Sequence, residues 1–322
     1  MDVLIAGMLS FATTTAVAPL ILRISNERGI VGVDVNKKEK PHIPEMGGIS
    51  SIIGLFSSIL ILTILTNNKI MTVLLAVLAV VAIASVIGAI DDIYEIRGWK
   101  KAMYVMLAGI PLIFFRIGTP EITTPFFNFS LPDFFYFIFL VPIGVTGCAN
   151  ALNMSGGYNG LESGEVAVIS FFLFLISLLR SEFTAALIFS ALLGSSFALL
   201  LFNKYPARMF VGDVGTLGMG AGIAAACIVG NIEFFGIICI LPAFYELLAT
   251  IYYGLKGIER RGACMNPVIM EDGRLKPPKG AEKFTFAYFI LSKKPLREPE
   301  LVNFILFIYA ICGLFALCLN LL

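Results

Sequence analysis

The sequence predicts an all-α polytopic integral membrane protein, with about ten transmembrane helices and a small hairpin-containing loop near the C-terminus. Of its 322 residues 58% are hydrophobic and 14% charged, and the mean hydropathy is +0.91, far from soluble-globular averages. Apolar runs of the roughly 20 residues needed to cross a hydrocarbon core recur along the chain. The polar residues able to do chemistry fall in the loops between them, on one side of the membrane when the spans are counted from the N-terminus.

Spans are predicted near 3–22, 47–66, 71–90, 102–116, 134–152, 165–179, 183–202, 214–230, 234–255 and 302–321. The first is too long for a signal-peptide core and carries Asp2 in place of a basic flank, so it reads as a retained helix. The fourth, around Met103 to Phe115, is short. Residues 1–322 read as a single transmembrane catalytic domain, with 256–301 as a loop inserted in it.

Charge sets the orientation. Alternating the loops from an outside N-terminus places 20 of the 23 basic residues on one side, leaving Lys69, Arg116 and Arg180 opposite. The positive-inside rule makes the basic side cytoplasmic. The long loop from Lys256 to Arg297 contributes ten of those residues, and without it the bias is still ten against three. The net charge of +1 conceals this asymmetry and gives no reason to expect a nucleic-acid partner. Five of the six cysteines fall in predicted spans, Cys264 is alone in a loop, and His42 is the one histidine. Neither a disulfide framework nor a zinc site follows.

Four cytoplasmic stretches carry candidate chemistry. Asp91 and Asp92 close the third span, ahead of Glu95, Arg97, Lys100 and Lys101. Adjacent helical residues point about 100° apart, so the two aspartates need not address one ligand, and an ordinary charged membrane boundary explains the pair equally well. The run Asn150-Ala-Leu-Asn153-Met-Ser-Gly156-Gly157-Tyr-Asn159-Gly160-Leu-Glu162 is more specific. Its glycines let backbone amides approach a ligand, and its asparagines can read a base or sugar or ligate a metal. A plain turn would need one or two such residues. Asp213, after Phe210-Val211-Gly212, opens the next span, where a carboxylate also serves as a cap. Magnesium typically takes one or two carboxylates plus substrate phosphates, and Asp213 with Asn153 supplies such a partial shell.

Taken together, the stretches Gly32 to Ile49 (GVDVNKKEKPHIPEMGGI), Asp91 to Lys101 (DDIYEIRGWKK), Cys148 to Gly164 (CANALNMSGGYNGLESG), Tyr205 to Asp213 (YPARMFVGD) and Met265 to Leu275 (MNPVIMEDGRL) resemble the polyprenyl-phosphate N-acetylhexosamine-1-phosphate transferase superfamily. Within it the chain is most similar to the archaeal and eukaryotic dolichyl-phosphate N-acetylglucosamine-1-phosphate transferases. The resemblance spans nearly the whole chain. It implies transfer of a sugar 1-phosphate from a UDP-sugar to a membrane polyprenyl phosphate with Mg²⁺, for which Mn²⁺ can substitute, releasing UMP. It also implies roles: Asn153 and Asp213 as metal ligands, Lys101 as a diphosphate contact, Asn159 and Phe210 as the uracil pocket, Glu45 near the nucleotide, and Asp91 and Asp92 as the family's acidic pair. Asn150, Gly160 and Glu162 belong to the substrate-binding run. Because the second pKa of a phosphate monoester is about 6, a general base is less necessary than charge screening. Asp91 and Asp92 are therefore expected to position metal, lysine or nucleophile.

One departure concerns the sugar. Between Gly257 and Met265 the chain reads IERRGAC where relatives carry histidine-rich or Arg-His-Arg sequences, leaving Arg260 and Arg261 as the cationic candidates for sugar recognition. Beyond it, Val268 to Leu275 reads as a β-hairpin turning at Asp272-Gly273, and the prolines of LKPPKGAEKF block helix. That loop suits lipid headgroups as well as it suits substrate. Glu246, inside the ninth span, must face the bundle and has no evident role. The expected partners are a UDP-sugar, a polyprenyl (dolichyl) phosphate and membrane lipids, and a homodimer is compatible with the sequence. The compact chain favours an archaeal plasma membrane over endoplasmic reticulum. Two alternatives keep the phosphotransfer but change the sugar or use undecaprenyl phosphate. A secondary transporter is disfavoured because its ionisable groups should lie near the midplane, often in two similar halves.

Overall fold

The computed structural model describes residues 2–65, 70–258 and 264–322. Helix α1 (Asp2–Glu27) leads into a hairpin of β1 (Val31–Val33) and β2 (His42–Pro44), with Val31 opposite Pro44. Next come α2 (Gly48–Leu65), α3 (Met71–Tyr94) and α4 (Gly98–Val105), the last passing through a 3₁₀ turn (Met106–Gly109) into one further turn (Ile110–Phe114). A second hairpin, β3 (Glu121–Thr123) with β4 (Asn128–Ser130), precedes α5 (Asp133–Ser155), which holds a π-helical stretch over Tyr136–Leu140. Then follow α6 (Leu161–Leu179), α7 (Phe183–Asn203), α8 (Gly212–Val229) and α9 (Glu233–Leu255). The chain closes with a short ladder of β5 (Val268–Ile269) and β6 (Leu275–Lys276), then α10 (Phe286–Lys293) and α11 (Glu298–Asn320).

Among the described residues eight helices are long and apolar enough to cross a membrane: α1, α3, α5, α6, α7, α8, α9 and α11. Eight of the ten expected spans meet that length and hydropathy among the described residues. The second expected span survives as a shorter apolar helix over Gly48–Ile64. The fourth, 102–116, is broken into three pieces, because Pro111 has no N–H to continue the ladder and instead starts the last turn. The three short hairpins lie between helices and leave the architecture mostly helical.

Helix α8 is the centre of the bundle, packed against α3, α5, α2 and α7. Its sequence, GDVGTLGMGAGIAAACIV, is rich in small residues, and every residue from Val214 to Ile228 is buried. Small residues let helix backbones approach closely in a membrane, and two contacts show what this does here. A Cβ on Gly48 of α2 would fall 2.2 Å from Gly215 Cα, and one on Gly88 of α3 would fall 2.3 Å from the carbonyl oxygen of Asp213. The second contact draws the end of α3, bearing Asp91 and Asp92, onto the start of α8. The outer helices expose large apolar side chains, such as Met8 and Leu20 on α1 and Phe307 and Phe315 on α11, as a lipid-facing surface requires.

Glu246, unassigned from sequence, acquires a place. Its Oε1 accepts a 2.7 Å hydrogen bond from the backbone N–H of Phe286, the first residue of α10, so a buried carboxylate of α9 meets one of that helix's open donors. Around it Tyr245, Tyr252 and Tyr253 pack against Phe284, fastening the C-terminal loop to α9.

Candidate active site

Four polar side chains converge at one end of the bundle from four helices. The ammonium of Lys101, on α4, lies 2.8 Å from Asp91 Oδ2 on α3, 3.1 Å from Asn153 Oδ1 on α5 and 2.5 Å from Asp213 Oδ2 on α8. Asn153 in turn donates to Asp213 Oδ1 at 2.7 Å and to Thr216 Oγ1 at 2.9 Å. The broken α4 explains how a lysine reaches this point: the chain leaves α3 at Glu95, in the left-handed region with φ 47°, and re-enters the bundle at Gly98. Asp91 ties that turn down, its Oδ1 accepting from the N–H of Ile96 at 2.6 Å. Burial works against the Lys101 ammonium, but the carboxylates of Asp213 and Asp91 outweigh it and raise the lysine above its ordinary value of 10.5.

Asp91 and Asp92 divide their work, as adjacent helical positions must. Both oxygens of Asp92 accept backbone N–H groups at the start of α8, from Asp213 at 2.7 Å and Val214 at 3.0 Å. Asp92, expected among the catalytic groups, thus caps α8 and holds its first turn in place. The capping role considered for Asp213 belongs to Asp92, which leaves the Asp213 side chain for Lys101 and Asn153. Gly212 permits this junction with φ +74°, and a Cβ there would meet Asp92 Oδ2 at 2.8 Å.

Beside this quartet three segments meet. Phe210 pairs through its backbone with the β2 edge, donating to Pro44 O and accepting from the N–H of Gly47, both at 2.8 Å. Glu45 and the Phe210 ring both crowd Gly32: a Cβ there would lie 2.0 Å from Glu45 Oε1 and 3.2 Å from Phe210 Cδ2. Glu45 and Phe210, remote in sequence, are therefore neighbours across one glycine.

The Asn150-to-Glu162 run serves structure more than its composition suggests. Asn150 is buried and donates to Thr146 of its own helix. Gly160, with φ +89°, turns the chain into α6. Glu162 folds back to accept from Gly157 N at 3.2 Å, closing the loop on itself. Asn159, expected in the uracil pocket, is buried and spends both amide N–H bonds within the protein, on Asp34 Oδ2 at 3.0 Å and Glu298 Oε1 at 2.6 Å, while its Oδ1 accepts from Ala207 N at 2.9 Å. Arg260 and Arg261 lie outside the described residues. Sequence reading passed over Thr216, Asp34 and Glu298. Asp34 stands within the quoted GVDVN stretch, whereas Glu298 resembles an ordinary charged flank of a terminal span.

Among the described residues no three His, Cys, Asp or Glu side chains form a metal cage. The oxygens around Lys101, from two carboxylates and one amide, are nonetheless the hard donors a divalent cation takes when substrate phosphates complete its shell. They already surround a cation, the ammonium itself. The donor set fits Mg²⁺.

Residues 73–231, from the start of α3 to the end of α8, match the family model of glycosyl transferase family 4. The chain is 34% identical over 297 residues to a Saccharolobus solfataricus protein that bears the provisional name UDP-N-acetylglucosamine–dolichyl-phosphate N-acetylglucosaminephosphotransferase, covering 86% of this chain and 89% of that one. A similarly named protein of Sulfolobus acidocaldarius is 28% identical, with 80% of each chain covered. The phospho-N-acetylmuramoyl-pentapeptide-transferase of Streptococcus pyogenes is 27% identical over 277 residues, 78% of this chain and 80% of the other. With all four residues of the quartet inside the segment that the family model spans, the chain belongs to glycosyl transferase family 4.

Proposed function

We propose that this protein transfers N-acetylglucosamine 1-phosphate from UDP-N-acetylglucosamine to a polyprenyl phosphate of the dolichyl type, giving the diphosphate-linked lipid sugar and UMP. The observation that carries the reading is the convergence of Asp91, Lys101, Asn153 and Asp213 at one end of an apolar bundle, where a lipid phosphate and a soluble nucleotide can meet. An oxygen of the lipid phosphate attacks the β-phosphorus of the donor. The bond from that phosphorus to the bridging oxygen breaks, and UMP departs with the electron pair.

Two anions must approach for this to happen, and screening their repulsion is the main requirement. Lys101 supplies a fixed positive charge, and Asp91 holds it in place. Asn153 and Asp213 would hold Mg²⁺, or Mn²⁺ in its stead, which when bound screens the diphosphate and stabilises the leaving phosphate oxygen. The acceptor phosphate is mostly dianionic at neutral pH, its second pKa being about 6, so it needs no dedicated base. The Phe210 ring, packed beside Gly32 and Glu45, would give its aromatic face to the uracil. The basic excess of the loops supports a cytoplasmic site, and the archaeal relatives favour a plasma membrane.

The relationship to a muramoyl-pentapeptide transferase supports a second reading with the same chemistry, another UDP-N-acetylated sugar and undecaprenyl phosphate. Purified protein with Mg²⁺, radiolabelled UDP-N-acetylglucosamine or UDP-N-acetylmuramoyl-pentapeptide, and either dolichyl or undecaprenyl phosphate separates the two. The first reading expects label in lipid with UDP-N-acetylglucosamine and dolichyl phosphate. No labelled lipid from any pairing would overturn both.

A further inference from the structure

Apart from the quartet, a second polar cluster is buried among the loops. Asp34 and Asn36, in the β1–β2 connection, Asn159, in the α5–α6 loop, and Glu298, the first residue of α11, are each 8% exposed or less. Glu298 Oε1 accepts from the backbone N–H of Asn159 at 2.8 Å, from its amide at 2.6 Å and from Asn36 Nδ2 at 3.3 Å. Asp34 Oδ2 accepts from the same Asn159 amide and from Lys37, whose ammonium is 3.6 Å from Glu298 Oε2. Asn36 also donates to Gly157 O at 2.8 Å. Asn159 then reaches the other wall, through Ala207 N, of the segment that carries Phe210 and Asp213.

The last helix is a firm post for this arrangement. A Cβ on Gly164 of α6 would lie 2.8 Å from Leu306 of α11, and one on Gly313 of α11 would lie 2.2 Å from the Phe172 ring of α6, so α11 and α6 are locked together at two levels. The first residue of α11 thus fixes the loop that enters α6. Buried donors are expensive to leave unmet, and two donors of Asn159 converge on one oxygen of Glu298.

We propose that Glu298 is a positioning residue for the nucleotide end of the donor, acting through Asn159 and together with Asp34 to set the loop 156–160 against the Phe210 segment. This rests on the transferase reading above. Glu298 is buried and its Oε1 is spent on Asn159 and Asn36, so its removal should alter nucleotide affinity and leave the phosphotransfer step nearly intact. The carbonyl of Gln can accept the same bonds. Asp, one methylene shorter, withdraws the acceptor while keeping the charge.

The test is calorimetric binding of UMP to the full-length protein in detergent, alongside steady-state kinetics with UDP-N-acetylglucosamine and dolichyl phosphate varied separately. Glu298→Ala should weaken UMP binding and raise the donor KM about 10- to 100-fold, the effect of losing hydrogen bonds to a charged acceptor. The lipid-phosphate KM and kcat should move less than about threefold, since neither reports uniform binding of the nucleotide. Glu298→Gln should stay within about threefold of wild type, and Glu298→Asp should lose most of what Ala loses. In an Asn159→Ala background, Glu298→Ala should add less than about twofold, because the two act as one unit. Full additivity in that background, or wild-type UMP affinity in Glu298→Ala, overturns the proposal. Should the Ala variant not accumulate, Glu298→Asp decides: wild-type UMP affinity in it overturns the proposal equally. A wild-type protein that binds UMP but makes no labelled lipid would instead sink the transferase reading while leaving the role of Glu298 standing.

Discussion

Two clusters in this molecule are made from the same ingredients. Asp91, Asp213, Lys101 and Asn153 form one, and Asp34, Glu298, Lys37, Asn36 and Asn159 form the other; each joins two carboxylates and a lysine to asparagine amides. Their surroundings differ. The Asp213 side chain retains 26% of its accessible surface, against 2% for Asp34 and 3% for Glu298. The first cluster is built from helix ends around the Lys101 ammonium, with Asp213 as its accessible carboxylate. In the second, loops close over the carboxylates, and backbone N–H groups take up their oxygens. The comparison teaches that residue type does not separate a reacting site from a brace. Access does, together with whether the donors are spent on backbone or left to side chains that can exchange partners.

The largest expected effect lies in the accessible cluster. Asp213→Asn removes the carboxylate shared by Lys101 and Asn153 and should lower kcat by a factor of about 10² to 10⁴ at saturating Mg²⁺, read from UMP release. A variant retaining more than about a tenth of wild-type turnover would erase the distinction between the clusters. Lys101→Met should cost about 10²- to 10³-fold in kcat, with the donor diphosphate left unscreened; near-normal kcat with only a raised KM would demote the lysine to a binding contact.

Gly88 sharpens the comparison from the packing side. Alanine there would press on the carbonyl of Asp213 at 2.3 Å, and overpacking of this kind costs about 1–3 kcal/mol. Gly88→Ala should lower the Tm and cut kcat by up to about 10²-fold, as α3 and α8 are pushed apart by a fraction of an ångström. An unchanged Tm and kcat would show that the approach of the two helices does not set the site. Asp92→Ala should act more weakly, losing about 0.5–2 kcal/mol as the cap of α8 and affecting turnover only through Asp213. A loss in kcat as large as that of Asp213→Asn, at wild-type Tm, would return Asp92 to the reacting groups.

The smallest effect is an absence. Because Lys101 is raised above 10.5, its ammonium and the stability it contributes are present below that value and are lost only as pH rises through the higher folded one. The kcat profile should therefore show no descending limb from this lysine below roughly pH 10. A limb near neutrality that disappears in Lys101→Arg would contradict the ion-paired geometry.

Much of the first cluster was legible because its members sit at helix ends, where a polar residue beside an apolar run stands out. Asp91, Lys101, Asn153 and Asp213 could each be picked from their flanks. That Asp91 and Asp92 part ways was foreshadowed by the 100° step between neighbours, but which one caps α8 depends on a contact across 121 residues. The second cluster was illegible for the same reason. Asn159 looks like a ligand-binding amide in the sequence, and only tertiary contacts with residues 125 and 139 positions away show its donors consumed. Likewise, ten apolar runs were countable, yet the run at 102–116 is interrupted ahead of Pro111, which has no N–H to continue the ladder.

The most direct test of this division compares Asp213→Asn with Asn159→Ala in one experiment, measuring kcat with Mg²⁺ and the Kd for UMP without it. The account predicts that Asp213→Asn loses turnover while its metal-free UMP affinity is not weakened. Asn159→Ala should bind UMP about 10-fold or more weakly and keep most of its turnover at saturating donor. Equal losses of both quantities in both variants, or the pattern reversed, would contradict the account.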